Sequence, residues 1–289
     1  MKQVTRVSAA PAKHWVGDGF YVSSMFSYTT HGEDLSPFLL LDHAAPKQFE
    51  PSQQKRGVGE HPHRGFETVT IVYSGEVSHK DSTGAGGTIG PGDVQWMTAG
   101  SGILHEEFHS ETFTQTGGMM EMAQLWVNLP AKDKMIKPSY QDIASADIPT
   151  INLEDIGSLR LIAGKYQGYK GAANTYSPLN VMDLRLNVGK SISLQLNEGW
   201  SGGIVVLRGE LTLNKATDNE TQVKEHQLAV LTHNGETIDI QADSDAKLLI
   251  LSGEPLAEPI VGYGPFVMNS REEIEQALQD FRDGQFGSL

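Results

Sequence analysis

The chain of 289 residues carries 22 Lys and Arg against 36 Asp and Glu, a net charge of −14, with 10 His and no Cys. That balance argues against nucleic acid or an anionic membrane as a partner, because both draw affinity from clustered cations and no basic patch interrupts the sequence. Absence of Cys removes disulfides, thiolate zinc sites, iron–sulfur clusters and Cys nucleophiles, so any metal is held by His and carboxylate.

Met1-Lys2-Gln3-Val4-Thr5-Arg6 lacks the apolar run of a secretory signal, and the strongest early apolar run, Phe38 to Leu41, is too short to cross a bilayer. The expectation is a soluble cytoplasmic protein. Gly and Pro then recur along the chain between short runs of β-branched and aromatic residues, the punctuation of an all-β fold. Thr68 to Tyr73 is one such strand, followed by the turn Ser74-Gly75-Glu76, a return strand from Val77, the turn Pro91-Gly92-Asp93 and the strand Val94 to Met97.

Ile204 to Leu207, Arg208-Gly209-Glu210 and Leu211 repeat the strand, turn and return, and Glu225-His226-Gln227 then leads into Leu228 to Leu231. Two stretches built alike predict two related β-barrels, with the boundary in the polar segment Pro130 to Pro138. The expected domains are 1–138 and 139–289. Near the C-terminus Ser270 and Glu273 form a capping box, and Ile274, Ala277, Leu278 and Phe281 share a helical face that Gly284 can end. Residues 1–138 hold 11 basic and 15 acidic residues (−4), the remainder 11 and 21 (−10), and eight of the ten His lie in the first part. Histidine chemistry therefore belongs to the first domain.

His61-Pro62-His63 enters an apolar strand, where residues two apart share a face and lie roughly 6.5–7 Å from each other, so both imidazoles can turn to one ion. Pro62 between them, lacking an N–H, puts the pair on an edge or strand start near a barrel mouth. In Gly102-Ile103-Leu104-His105-Glu106-Glu107 the same period sets His105 and Glu107 on one face and Glu106 on the other. Three His and one carboxylate suit Fe(II), Mn(II), Ni(II), Cu(II) or Zn(II), and six-coordinate metals would keep open positions. Glu67 shares parity with the His pair but lies about 13 Å beyond His63 in a straight strand, so it reads as outer support or a structural residue. The remaining His read as ordinary, with His31 and His43 the two that could reach a pocket. Trp96, Met97, Phe66, Trp126 and Met122 read mostly as core, and Arg64 as a solvated edge residue.

His61-x-His63-x3-Glu67, Gly75, Pro91-Gly92-Asp93 and a later His resemble the two motifs of the cupin superfamily, with Lys55 in place of the usual Gly and Gly75 one residue late. His61 to Val69, Gly92 to Gly100, Gly102 to His105, Gln124 to Leu129 and Gly262 to Asn269 together resemble the pirin family. The resemblance implies a bicupin, two tandem double-stranded β-helix (jelly-roll) barrels with a terminal helix. The first barrel would bind one metal, most often iron, through His61, His63, His105 and Glu107. The second, with Gly199-Trp200-Ser201-Gly202-Gly203 where a His pair would stand, would be metal-free. It also implies a quercetin 2,3-dioxygenase-type oxygenase, in which Glu107 takes the hydroxyl proton of a flavonol that reacts with O2. The alternatives are a metal- or redox-responsive regulator of a transcription factor or metabolic enzyme, acting through protein contacts, or another cupin enzyme.

Overall fold

Short β-branched runs bounded by Gly turns have too little length for a helix and bury themselves by pairing across sheets. A computed structural model describes all 289 residues and is 53% strand and 11% helix. The chain packs as two units. One comprises residues 1–11, 25–39 and 146–256, the other residues 12–24, 40–145 and 257–289. A single cut at residue 138 would leave 257–289, with the terminal helix, apart from the unit they fold with.

Each unit is a pair of antiparallel sheets of seven and four strands. The seven-stranded sheet containing the first barrel's strands runs Ser139–Ile143, Val94–Thr98, Phe66–Ser74, Gly118–Asn128, Phe38–Phe49, Phe20–Ser27, His14–Val16. Its counterpart runs Val4–Ala9, Gln227–Leu231, Ser201–Arg208, Ala246–Gly253, Leu179–Leu186, Gly157–Ala163, Thr150–Asn152. The strands Phe66–Ser74 and Ser201–Arg208, read from the sequence as copies, hold the same third place in the two orders. The expectation of two related cupin barrels is met at the level of topology.

In the second barrel, Leu194, Ile238 and Ile240 of the four-stranded sheet join Leu184, Ile204, Leu248 and Ile250 of the seven-stranded sheet in one buried apolar cluster. The interior of the first barrel is divided. Phe49, Val72, Phe113 and Met122 belong to an apolar cluster, while Thr70, Gln95 and Gln124, which oppose one another across the sheet, present polar groups on the face shared with Val72 and Met122. A barrel lined with hydrogen-bonding side chains has room for chemistry that a Leu/Ile core lacks.

Residues 257–289 close over the strand that carries the His pair. Arg64 N donates to Pro265 O (3.3 Å) and Val267 N to Arg64 O (3.1 Å). Gly65 between strand and bridge has φ +89°, and a Cβ there would run into the Val267 carbonyl. Lys134, 1% exposed, donates to Gly65 O, Asn128 Oδ1 and Val267 O at 2.7–2.9 Å, one acceptor for each ammonium N–H. Burial pulls its pKa down to about 7, opposed by Glu258 and Glu273.

The helix Arg271–Arg282 starts on the expected capping box, Ser270 Oγ accepting from Glu273 N and Glu273 Oε2 from Ser270 N. Ile274 and Ala277 are buried in a cluster with Leu104, Phe266 and Phe286. Arg64, expected at a solvated edge, is instead 3% exposed. Its guanidinium donates to Asp280 Oδ2 (2.7 Å) and Ser101 O (2.6 Å), and Phe286 packs under it at 4.6 Å. Buried charges survive where they are paired, and the strap supplies the pair.

Candidate metal centre

The four-stranded sheet of the first barrel runs Gly57–His63, Ile103–His109, Val77–Asp81, Gly86–Ile89. Gly57–His63 is its edge strand, where Pro62 costs no ladder bond. His105 stands directly opposite His61, so the two side chains share a face. The ring centroids are 4.2 Å apart for His61 and His105, and 4.9 Å for His63 with each of the others. One nitrogen from each imidazole can be chosen so that all three lie within 4.8 Å of one another.

The donor chemistry fits a cation. His61 Nδ1 lies 2.8 Å from Gly59 O, which fixes the N–H there and leaves the Nε2 lone pair free, the usual way a ligand tautomer is set. His63 Nδ1 and both ring nitrogens of His105 are buried without a hydrogen-bond partner. Burial, reinforced by the neighbouring imidazoles, holds His63 and His105 well below the usual histidine pKa, so both are neutral at physiological pH and ready to donate lone pairs. Two imidazoles in this state, converging with His61, are costly unless something positive sits between them.

Glu107 lies on the same face, two residues beyond His105, with a bulge in the facing strand between their partners. Its carboxylate stands apart from the three-imidazole cluster. Thr70 Oγ1 is 3.2 Å from Glu107 Oε1 and 2.7 Å from Gln124 Oε1. One hydroxyl proton cannot serve both, and turning the Gln124 amide over lets its NH2 donate to Thr70 while Thr70 donates to Glu107. Burial pushes the Glu107 pKa up, while His61 and Thr70 pull it down. Glu106 points the other way, to an exposed contact with Lys55 at 3.3 Å.

Two neighbours escaped the sequence reading. His79 stands opposite Glu107 and Asp81 opposite His105, on the same inner face. His79 stacks on Tyr140 (5.2 Å) and lies 3.7 Å from Asp142 Oδ1. The signal was present in Val77-Ser78-His79-Lys80-Asp81, where the odd positions are buried and two of them are ionisable. Phe66 and Trp126 pack against His63 at 5.2 and 5.4 Å and form an apolar wall beside it. His31 contacts Ser8 and Thr30, and His43 contacts Glu121.

Glu67 has no place in the centre. Strand pairing puts it with Thr98 and Val127, one residue out of step with the face of Thr70 and Gln124, hence on the opposite side of the sheet. Parity counted from His63 fails because the chain turns over at Gly65. Thr98 Oγ1 donates to Glu67 Oε1 at 2.7 Å, but burial raises its pKa from 4.5 to about 7. The folded state therefore holds a proton that the unfolded chain releases between pH 4.5 and 7, and stability falls as pH rises through that window. Glu67→Gln, which keeps an acceptor for Thr98, is expected to match the parent at pH 4.5 and exceed it by roughly 3 kcal/mol above pH 7 in denaturant unfolding. A stability difference independent of pH would contradict this account of Glu67.

The sequence matches the family described as Pirin over residues 19–127 and the Pirin C-terminal cupin domain over residues 181–287. It is 58% identical over 287 residues, 99% of both chains, to a Pseudomonas aeruginosa protein named "Putative quercetin 2,3-dioxygenase". The chain belongs to the pirin family. Human pirin is 36% identical over 259 residues, covering 88% of this chain and 84% of that one. A crystal structure of quercetin 2,3-dioxygenase from Acinetobacter baumannii superimposes with a TM-score of 0.97 at 52% identity, covering 100% of this chain and 99% of that chain.

Proposed function

We propose that this pirin binds one divalent transition metal, with iron first among the candidates, through His61, His63, His105 and Glu107, and uses it as a quercetin 2,3-dioxygenase-type oxygenase. The observation that carries the reading is the set of three converging imidazoles, two of them buried and neutral, with His63 Nδ1 and both His105 nitrogens lacking partners, next to a carboxylate held by a single hydroxyl. Such a metal, when bound, supplies positions at which a flavonol's oxygens and O2 can be brought together. The protein's own residues do the rest. Glu107, raised by burial, accepts the flavonol hydroxyl proton as general base, and Thr70 steadies the carboxylate for that transfer. Phe66 and Trp126 offer the flat apolar wall a planar substrate needs. The relatives carrying the quercetin 2,3-dioxygenase name support the substrate class.

Protein loaded in turn with Fe, Mn, Ni and Cu is expected to consume quercetin aerobically, with loss of flavonol absorbance, at a rate well above that of a His63→Ala control. Should every metal form leave quercetin at the control rate, a regulatory protein that uses the same ligands to sense metal or redox state takes over as the reading.

A further inference from the structure

The second barrel, with a core of Leu, Ile and Val, carries a cavity of about 550 Å³ whose walls include Lys165, Lys170, Asn180, Asn197 and Trp200. That volume falls in the range of small-molecule sites. Residues 139–289 have a net charge of −10, from 11 basic and 21 acidic residues, yet no Asp or Glu lines this cavity. Two of its lining residues are cations in a domain where acids outnumber bases almost two to one.

Those cations, both exposed, are set side by side by the backbone. Lys165 and Lys170 are direct cross-strand partners in the two-stranded ribbon Lys165–Tyr166 with Tyr169–Lys170. Like charges placed opposite each other in a ribbon destabilise it. Neither ammonium makes an ion pair or side-chain hydrogen bond within the protein. The ribbon cannot easily relax: Tyr166 is buried in the barrel core, Gly171 N donates to Gly164 O (2.8 Å), Ala173 N to Ile162 O (2.9 Å), and Lys165 N to Asn180 Oδ1 (2.9 Å). An anion between the two lysines would turn the repulsion into binding.

The other wall is apolar and flat. Trp200 is half-buried, with Leu179, Pro178 and Ala173 lining the same cavity. Its backbone is fixed by Lys2 Nζ, which donates to Trp200 O at 2.9 Å. Inorganic phosphate would satisfy the lysines and waste this surface, whereas an anion with a ring uses both. We propose that the second barrel binds a small aromatic carboxylate, with Lys165 and Lys170 on the carboxylate and Trp200 against the ring. The site is independent of the metal centre.

Titration of the full-length protein with sodium benzoate, followed by tryptophan fluorescence and calorimetry, tests this. Saturable quenching is expected. Lys165→Ala/Lys170→Ala should weaken binding at least about tenfold, and Trp200→Leu should remove the fluorescence change. His105→Ala should leave binding unaltered, which separates this site from a carboxylate captured at the metal centre. Benzyl alcohol and inorganic phosphate should bind far more weakly than benzoate. Lys170→Glu should raise the melting temperature by relieving the like-charge pair while abolishing benzoate binding. The proposal is overturned if benzoate shows no saturable binding at millimolar concentration, if the double lysine variant binds as the parent does, if benzyl alcohol or phosphate binds equally well, or if His105→Ala removes the binding.

Discussion

Asp280→Ala is expected to lower stability by about 3 kcal/mol, or roughly 5–10 °C in melting temperature for a chain of this size. Asp280, in the strap over the His-bearing strand, is the only carboxylate paired with Arg64, whose residue is 3% exposed. Removing one partner of a buried pair leaves the other charged and poorly solvated, which costs more than the pair itself contributes. The lower end of the usual penalty applies because Ser101 O and the Phe286 ring remain with Arg64. Arg64→Met/Asp280→Leu should cost less than Asp280→Ala alone, since no charge is then stranded. Thermal unfolding of both variants checks the ordering, and equal losses would mean that Arg64 does not depend on Asp280. Because Arg64 follows His63 directly, the single variant should also weaken metal retention, measurable as stoichiometry after gel filtration.

Elements set by local chemistry were legible in the sequence. Turns at Gly75 and Gly92, the Ser270–Glu273 capping box and the facing of His105 with Glu107 depend on residues within a few positions of one another, and each appears in the fold. Arg64 and His79 depend on contacts far apart in sequence and are not placed by it, while Glu67 is rightly kept out of the ligand set but put on the wrong face. Arg64 reads as an edge residue until Asp280, 216 positions later, lies beside it. Glu67 keeps the parity of His61 and His63 only if the strand runs straight through Gly65, whose φ of +89° reverses the faces. His79 becomes a neighbour of Glu107 only through the register between two strands. The cavity of the second barrel left no motif at all, because opposition of Lys165 and Lys170 is a property of the ribbon and neither residue type marks a site.

His105→Leu should change stability in opposite directions with and without metal. Both ring nitrogens of His105 are buried and unpartnered in the protein alone, and burying such polar atoms costs roughly 1–3 kcal/mol. A leucine of similar bulk removes that cost, so the metal-free variant is expected to be more stable than the metal-free parent. Addition of Fe(II) or Ni(II) stabilises the parent in proportion to the logarithm of free metal over its dissociation constant, while a variant reduced to two imidazoles gains little. The order of melting temperatures should therefore invert as metal is added, and bound metal should fall from about one per chain towards zero. Acidity provides a second handle on the same residues. His63 and His105 have folded pKa values depressed below the 6.5 of the unfolded chain, so as pH falls through 6.5 the unfolded state takes up protons that the folded state refuses. Stability of the metal-free parent is then lost on the acid side of 6.5, and His105→Leu, with one such group removed, should lose less there. If the variant melts below the metal-free parent at neutral pH and follows the same acid limb, the imidazoles are satisfied by contacts within the barrel and the case for a metal at this place fails.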